Sequence, residues 1–314
     1  MHPERHPPGI AAQFTLADRL RRCLLVAALL GIAGTATAAQ LELPAVSEPP
    51  SQERHVGKVI LVELVTPDLA TAERFYGGLF GWSFDEIEAG GTTYAKATFD
   101  GHPVAGLVHR EIPAGERRRA AWLSFIAVGD VDKARTIALG QGAMVLFEPH
   151  SIANRGREAV FADPRGAIFA VLDSSSGDPP DELASPGEWI WSSLITSDPD
   201  ADTAFYQALF AYEAFDLPAD DGARHLLLAS DGYARASVNP LPEGNPNAHP
   251  HWLNYVRVTD AELMAAKVVA LGGRVLVEPR VDRHGGRVAV VTDPLGAPFG
   301  LLEWPNAESA AASP

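Results

Sequence analysis

The side chains that most often carry chemistry in proteins are few in this chain and lie far apart. His249 and His251 flank a proline, a spacing that gives a weak metal-binding pattern, and a surface turn is the alternative interpretation. Four other histidines show no helical His-x-x-x-His pairing and no companion carboxylate, namely His102, His109, His225 and His284. The sequence shows no phosphate-binding glycine loop, no Gly-x-Ser-x-Gly elbow and no Ser/His/Asp order. Local motifs therefore assign no reaction, and candidate residues have to be sought through the elements that position them.

The first 38 residues have the order of a secretory signal peptide. A basic segment at 19–22 precedes an apolar run at 23–33, and small residues follow up to Ala38. This order predicts cleavage before Ala39 and export to the periplasm. The apolar run is shorter than the roughly 20 residues of a membrane span, and an uncleaved anchor is the alternative. The Arg21-Arg22 pair weakly resembles a twin-arginine export signal.

Cysteine content and net charge exclude several kinds of site and partner. The only cysteine, Cys23, lies inside the leader, so a mature chain would have no disulfide, thiolate nucleophile or cysteine-bound metal. The chain carries 25 Lys and Arg against 40 Asp and Glu, and its net charge of −15 disfavours nucleic acid as a partner. We therefore expect a small-molecule ligand, membrane contact only through the leader, and a monomer or homodimer.

The chain repeats itself at an offset of 130 residues. Four separate stretches return at this offset: Phe75-Tyr76 as Phe205-Tyr206, Trp122-Leu123 as Trp252-Leu253, Glu148-Pro149 as Glu278-Pro279, and Asp163-Pro164 as Asp293-Pro294. One structural unit was therefore duplicated, and a period this long indicates two domains. We expect them at 57–173 and 187–305, with a flexible tether at 39–56, a linker at 174–186 and a disordered tail at 306–314.

Each half has the same order of predicted elements. Residues 59–66 are β-branched and apolar, which predicts a strand, and Asp68 then begins a helix with apolar residues at helical spacing. Three strand-like runs follow, and the order restarts at residue 122, with Asp130 beginning the next helix. The sequence predicts an α+β fold of four βαβββ modules with curved mixed sheets, two modules in each domain.

These features together resemble the vicinal oxygen chelate superfamily, which includes glyoxalase I, extradiol dioxygenases and the bleomycin-resistance proteins. The resemblance rests on the βαβββ order, on Phe75-Tyr76-x-x-Leu79-Phe80-Gly81-Trp82 and on Asp163-Pro164-x-Gly166-Ala167. The second half repeats both motifs, except that Ala211-Tyr212 replaces Gly81-Trp82. The match covers roughly residues 57–304 and is most similar to the tandem-domain, glyoxalase-like hydroxylases. It implies a fold and not a reaction, because this scaffold carries several chemistries.

The resemblance also implies where a metal would lie. In this superfamily two modules pair their sheets into a cup, and a metal, when present, is held by side chains of the first, fifth and eighth strands. Those positions map to Leu61, Leu123 and Ala170 in the first half and to Trp191, Leu253 and Gly300 in the second. None of the six offers a donor atom that a divalent ion needs. We therefore expect no metal in either cup and no other cofactor.

Strand alternation identifies further residues that would face the first cup. Glu63 lies two positions beyond Leu61 and is the best catalytic candidate, as a base or as a group that grips a cationic ligand. A salt bridge to Arg or Lys at the rim is the alternative interpretation. Phe125, two positions beyond Leu123, would face the same cup.

The second cup would be lined differently. Ser193 is the counterpart of Glu63, and Trp191 with Tyr255 would form an aromatic wall. Arg257 would share their face and receive a carboxylate or phosphate. The alternative is that Trp191 and Tyr255 only fill the space that a metal and a substrate occupy elsewhere.

Two carboxylates at the ends of the last strands have the wrong parity for a cup. Asp173 and Glu303 are odd-numbered from Ala170 and Gly300, so we expect them to point away, solvated or in ion pairs between modules.

Three functional hypotheses remain. The first is an exported, metal-free protein that binds a small, partly aromatic or cationic molecule in its cups. The second is a lyase, isomerase, hydroxylase or dioxygenase with a non-standard metal site, built from Glu63 and a histidine of a neighbouring strand. The third is a structural or interaction module in which neither cup is open.

Overall fold

The computed structural model describes residues 42–89, 91–111, 120–219, 221–242, 244, 248–282 and 286–304. The expected signal peptide at 1–38 and tail at 306–314 lie outside the described residues. Within the described ranges, no helix combines the length and the apolar character needed to cross a membrane.

Each half contains two βαβββ modules, as predicted. The elements of the first half are β1 Val59–Thr66, α1 Leu69–Phe80, β2 Ser83–Ala89, β3 Thr92–Phe99, β4 His102–His109, β5 Ala121–Ala127, α2 Val131–Gly140, β6 Met144–Ile152, β7 Gly156–Ala162 and β8 Ile168–Ser174. Those of the second half are β9 Trp189–Thr196, α3 Pro199–Phe210, β10 Glu213–Asp216, β11 Leu226–Ser230, β12 Tyr233–Pro240, β13 His251–Val258, α4 Ala261–Ala270, β14 Arg274–Val281, β15 Arg287–Thr292 and β16 Pro298–Glu303.

An aspartate begins each of these four helices. The carboxylates of Asp68, Asp130, Asp198 and Asp260 each accept a hydrogen bond from the backbone N–H three residues further on, at 2.9–3.2 Å. The predictions for Asp68 and Asp130 are thereby confirmed. Helix α1 ends at Gly81 in the left-handed conformation, with φ 83°, and Ala211 adopts the same conformation after α3, with φ 57°. An alanine there costs about 1 kcal/mol more than a glycine.

Two modules form one eight-stranded sheet in each half. The strand order is β2-β3-β4-β1-β5-β8-β7-β6 in the first sheet and β10-β11-β12-β9-β13-β16-β15-β14 in the second. The modules join where β1 meets β5 and β9 meets β13, both antiparallel. Because the first strand of each module lies at the centre, one face of each sheet collects side chains from both modules. We call these faces the first cup and the second cup.

The opposite faces carry the helices, and there the packing crosses between the halves. One apolar cluster joins the first module to the fourth, with the rings of Phe75 and Phe299 6.2 Å apart. The other cluster joins the second module to the third, with the rings of Phe169 and Tyr206 5.3 Å apart. The two halves are therefore held together by their helix-covered faces.

The repeated motif residues form the polar contacts of this packing. Tyr76 donates from its hydroxyl to Asp293 Oδ2 at 3.2 Å and accepts from Trp122 Nε1 at 3.0 Å. The equivalent group joins Tyr206 to Asp163 Oδ2 at 3.1 Å and to Trp252 Nε1 at 2.9 Å. The motifs that identify the fold thus stabilise the contact between its halves.

The segment before β1 differs from the flexible tether that the sequence predicts. Residues 42–56 lie along the first sheet and the linker, where Ser176 Oγ accepts from the backbone N–H of both Val46 and Ser47 at 3.1 Å. Asp178 accepts from the backbone N–H of His55 at 2.6 Å. Ser176 and Asp178 thus supply hydrogen-bond partners to the segment that the sequence predicts as a flexible tether.

Candidate functional site

The metal positions implied by sequence lie together in the first cup but form an apolar floor. Leu123 and Ala170 belong to one buried cluster, and Leu61 packs against it. In the second cup, the ring of Tyr255 covers Gly300, where an added Cβ would lie 1.9 Å from Tyr255 Cδ1. Among the described residues, no three His, Cys, Asp or Glu side chains are grouped to hold an ion. The side chains at these positions supply no donor atom that could coordinate a metal ion.

The first cup instead contains a buried ion pair. Glu63 is 6% exposed and Arg155 is 1% exposed. Glu63 Oε1 accepts from Arg155 Nη1 at 2.7 Å and from the Tyr94 hydroxyl at 3.0 Å. Arg155 Nη2 donates to the same hydroxyl at 2.8 Å. Burial alone would lower the pKa of Arg155, but Tyr94 and Glu63 raise it, so the guanidinium remains charged.

Glu63 therefore forms a salt bridge, which was the alternative interpretation of this residue. The pair is buried, however, and does not lie at the rim of the cup. Sequence analysis missed Arg155, which lies between β6 and β7 and has Gly285 at the repeat-equivalent position, so the 130-residue offset gives no signal for it. The sequence feature that could have indicated this packing is Gly106, on the strand β4 that neighbours β1. A Cβ there would lie 2.1 Å from the Tyr94 hydroxyl and 2.9 Å from Glu63 Oε1.

A second buried carboxyl group, Glu158 on β7, lies in the same cup. Burial raises its pKa to about 8, with Arg155 lowering it and Glu63 raising it. His150 Nε2 lies 3.6 Å from Glu158 Oε1, which is too long for a hydrogen bond. Glu158 Oε2 is buried and has no hydrogen-bond partner among the described residues. The first cup therefore contains one unsatisfied polar atom.

The chain itself covers the first cup. Val46 is 6% exposed and joins the apolar cluster that contains Phe125, which is itself buried. Two residues earlier, the backbone oxygen of Pro44 accepts from Arg155 Nε at 2.9 Å. Phe125 faces the first cup as predicted, but what it contacts is an internal segment. The first cup is closed in this structure.

The second cup has aromatic side chains where the first has aliphatic ones. Trp191 and Trp304 lie nearly parallel, with ring centroids 6.5 Å apart and an interplanar angle of 29°. Both rings are partly exposed. Tyr255 fills the space above Gly300, and burial raises its pKa, so it remains a neutral hydroxyl. The predicted aromatic wall is present, and Trp304 extends it.

A chain of hydrogen bonds runs along one wall of the second cup. Ser237 Oγ accepts from Trp191 Nε1 at 3.1 Å and from Asn239 Nδ2 at 3.0 Å. Ser193 Oγ lies 2.7 Å from Ser237 Oγ. Because two N–H groups occupy the lone pairs of Ser237, its own hydrogen is donated to Ser193. Ser193 thus lies in the second cup, as predicted.

The same chain continues to a histidine. His225 Nδ1 lies 2.8 Å from Asn239 Oδ1, and its Nε2 lies 2.9 Å from Asp221 Oδ2. The prediction that His225 has no companion carboxylate is wrong, because a loop brings Asp221 onto it. The four-residue spacing between the two was visible in the sequence, but it lies outside any helix. Each ring nitrogen of His225 thus faces an oxygen atom, Asn239 Oδ1 on one side and Asp221 Oδ2 on the other.

The remaining sequence candidates lie away from the cup centres. Arg257 Nη1 donates to the Ala184 carbonyl at 2.8 Å, which ties the linker to β13. Asp173 lies 4.0 Å from Arg54, and Glu303 accepts from the backbone N–H of Ala261 at 2.6 Å. Both carboxylates point away from the cups, as predicted. His251 Nδ1 contacts the His249 carbonyl at 2.7 Å, which is a local turn contact.

A groove of about 440 Å³ lies outside both cups, beside the linker. In this groove Asp181 Oδ1 lies 2.9 Å from Lys58 Nζ, and Asp181 Oδ2 accepts a hydrogen bond from Arg235 Nη2 at 3.0 Å. Burial alone would raise the pKa of Asp181, but hydrogen bonds from Arg235 and Lys58 lower it to about 2. Its charge is balanced internally, so this groove is a structural ion-pair site.

Comparisons with known proteins agree with the two-domain architecture. A sequence model of the Glyoxalase/Bleomycin resistance protein/Dioxygenase superfamily matches residues 55–171, and one of a glyoxalase-like domain matches residues 192–302. The chain is 33% identical over 259 residues to CFP32 of Mycobacterium bovis, named as a candidate glyoxylase, covering 81% of this chain and 98% of that protein. It is 32% identical to the anthracycline biosynthesis protein DauV of Streptomyces sp. strain C5, covering 80% and 94%.

Solved structures share the fold at lower identity. The Mn(II)-bound glyoxalase from Novosphingobium aromaticivorans aligns with a TM-score of 0.56 and 18% identity, covering 79% of this chain and 82% of that one. The 2,3-dioxygenase LapB from Pseudomonas sp. KL28 aligns with a TM-score of 0.56 and 14% identity, covering 81% and 96%. The chain therefore belongs to the glyoxalase, bleomycin-resistance protein and dioxygenase superfamily, with two domains of that family in tandem.

Proposed function

We propose that this protein is an exported binding protein that holds a planar aromatic molecule in its second cup without a metal. The observation that carries the proposal is the Trp191–Trp304 pair, with centroids 6.5 Å apart. A flat ring held between two indoles needs about 7 Å between their planes, twice the ~3.5 Å contact between carbon atoms, so the two rings have to rotate and separate to admit it. Stacking of this kind favours an aromatic ligand.

Hydrogen bonding would orient the ligand in that slot. Trp191 Nε1 already donates to Ser237, so one edge of the slot lies beside the chain of hydroxyl and amide groups. The Ser193 hydroxyl, which accepts from Ser237, can rotate to donate to a carbonyl or phenol oxygen of the ligand. A few placed polar groups in a mostly apolar cleft are typical of small-molecule sites.

The relatives support the same ligand class. DauV and DnrV, at 32% and 31% identity, are anthracycline biosynthesis proteins by name. Anthracyclines are planar fused-ring molecules that carry carbonyl and phenol oxygens. We therefore take a polycyclic aromatic compound with such oxygens as the ligand of the second cup.

Other parts of the proposal rest on separate support. Export rests on the leader-like order of residues 1–38. The metal-free state rests on the side chains Leu61, Trp191, Ala170 and Gly300, which cannot coordinate an ion. A monomer is proposed because four modules in one chain complete both sheets internally.

The test is a titration of the mature chain with an anthracycline aglycone, followed by quenching of tryptophan fluorescence. We expect 1:1 binding, and a loss of about tenfold or more in affinity for Trp191→Ala and for Trp304→Ala. Tyr233→Ala is the control, because Tyr233 is an aromatic side chain of the same domain that is 52% exposed and lines the groove outside both cups. Equal affinity of all three variants would show that the ligand binds elsewhere.

An enzyme is the second candidate, favoured by the chain from Asp221 through His225 and Asn239 to Ser237. A histidine fixed by a carboxylate is a common proton carrier. This alternative predicts turnover of the bound aromatic compound, with a rate that falls when His225 becomes Gln while binding persists. Metal analysis of the purified chain adds a second discriminator, since the metal-dependent form requires a stoichiometric ion.

A further inference from the structure

Residues 42–48 contact the first cup as a ligand would. The segment runs parallel to the turn before β7, with the backbone N–H of Leu43 donating to the Ala153 carbonyl at 3.2 Å. The Pro44 carbonyl accepts from Arg155 Nε at 2.9 Å. Val46 then inserts its side chain into the apolar floor. One backbone N–H bonded beside the sheet, one bonded carbonyl and one apolar anchor are contacts that a bound peptide also makes.

The fit between the segment and the cup is incomplete. Of residues 42–48, only Val46 and Ser47 are buried, while Glu42 and Glu48 are exposed. A solvent-open groove of about 310 Å³ lies where the segment meets the first sheet, lined by residues such as Pro44, Asp85, Ile87 and Lys96. Glu158 Oε2 stays buried without a hydrogen-bond donor. The segment therefore leaves the edge of the first cup open to solvent and one buried oxygen of the cup without a donor.

The charges of the cup define what a better-fitting occupant would carry. Arg155 is held by Glu63 through Nη1 and by Tyr94 through Nη2, so its Nε is left to bind an acceptor. Glu158 needs a donor for Oε2 when it is ionised. An amide group supplies both, since its carbonyl accepts and its N–H donates. A charged ligand is disfavoured, because Glu63 already balances Arg155.

We propose that the first cup is a binding site for short peptides or related amides with a branched apolar side chain, and that residues 42–48 occupy it as an internal ligand. The site is separate from the second cup. An external amide gains access when the segment leaves. An external ligand therefore competes with the internal segment for the same site, and its apparent affinity is lowered by that competition.

The test uses a fluorescently labelled peptide, Glu-Leu-Pro-Ala-Val-Ser-Glu, which repeats residues 42–48. Two variants in the full mature chain weaken the internal segment. Val46→Asp places a charge against the apolar floor, and Ser47→Pro removes one of the two backbone N–H groups that donate to Ser176 Oγ. Both changes lie in the segment itself, so the residues that would contact the peptide are unaltered. We expect fluorescence anisotropy to show binding to both variants at least about tenfold tighter than to the unaltered chain. N-acetyl-Ala-Val-amide is expected to compete.

The controls separate binding from unfolding. Leu183→Asp makes the same kind of change at a side chain that is 59% exposed, and it is expected to leave the peptide unbound. A peptide with Asp in place of its valine is expected to bind neither variant. Hydrogen exchange over residues 42–48 reports whether the segment has left. The proposal is overturned if the segment stays protected in both variants, or if it leaves and the labelled peptide still does not bind to the folded protein.

Discussion

Arg155 Nη1 lies 2.7 Å from Glu63 Oε1, and both side chains are almost completely removed from solvent. The first cup thus holds a buried cationic side chain that is paired with a buried carboxylate. A buried ion pair adds little net stability, because the cost of removing both charges from water offsets their attraction. Loss of one partner, however, leaves the other charge buried and unpaired. Four predictions about the fold and its cups follow from such contacts.

Removal of Arg155 alone is expected to be strongly destabilising. Arg155→Met leaves the Glu63 carboxylate buried without its cation, which typically costs about 3–5 kcal/mol. Glu63→Gln in the same chain removes the uncompensated charge and is expected to restore a large part of the loss. Urea unfolding of the two single variants and the double variant measures the coupling.

The exposed pair of Arg157 and Asp132, at 2.8 Å, serves as the comparison. Arg157→Met is expected to cost much less than Arg155→Met, because solvent screens that pair. Equal losses for Arg155→Met and Arg157→Met would contradict the role assigned to the buried pair.

Glu158 is expected to make stability depend on pH. Its folded pKa of about 8 exceeds the ordinary value of 4.5, so the folded state retains the proton to higher pH than the unfolded chain does. Stability from this group is present below pH 4.5 and is lost as the pH rises towards 8. Glu158→Gln removes this dependence, so it should raise the melting temperature by several degrees at alkaline pH and change it little near pH 5. The same shift at both pH values would show that Glu158 ionises normally in the fold.

Tyr76 is expected to stabilise the contact between the two halves. Tyr76→Phe leaves both Asp293 Oδ2 and Trp122 Nε1 without this partner, at a cost of about 2 kcal/mol. Tyr206→Phe should cost a similar amount, since its hydroxyl contacts Asp163 and Trp252 in the same way. Tyr233→Phe, at an exposed tyrosine, is the control. Chemical denaturation measures all three, and a neutral Tyr76→Phe would refute the structural role of the repeated Asp and Tyr residues.

The packing of the Tyr255 ring is expected to require a glycine at position 300. A methyl group at Gly300 would lie 1.9 Å from Tyr255 Cδ1, so Gly300→Ala must displace the ring and should cost about 1–3 kcal/mol. Tyr255→Ala in the same chain makes room and should relieve the added strain. Gly129→Ala is the matched control, because nothing lies within 4 Å of the position of its added Cβ. Thermal unfolding that ranks the two glycine variants equally would contradict the packing of Tyr255 in the second cup.

Much of this fold could be predicted from short-range sequence pattern. The repeat of Phe75-Tyr76 and Asp163-Pro164 indicated the modules, and Asp68 and Asp130 indicated helix starts because an N-cap is a local contact. Strand alternation placed Trp191, Ser193 and Tyr255 on one face, since period-two alternation depends only on neighbouring residues.

The missed features depend on contacts between distant parts of the chain. Arg155 reaches Glu63 across 92 positions, and Ser176 reaches Val46 across 130. The chain of Asp221, His225, Asn239 and Ser237 combines a loop with strand β12. No local pattern distinguishes such residues from ordinary surface polar groups, and only the sheet register brings them together.

The most direct test of the proposed function is a crystal structure of the mature chain, purified without chelator and soaked with the anthracycline aglycone. We predict the ring system between Trp191 and Trp304, with a ligand oxygen within hydrogen-bond distance of Ser193 or Ser237. We also predict no cation bound by side chains of either cup. An aglycone bound elsewhere, or an ion with four or more contacts in a cup, would contradict the account.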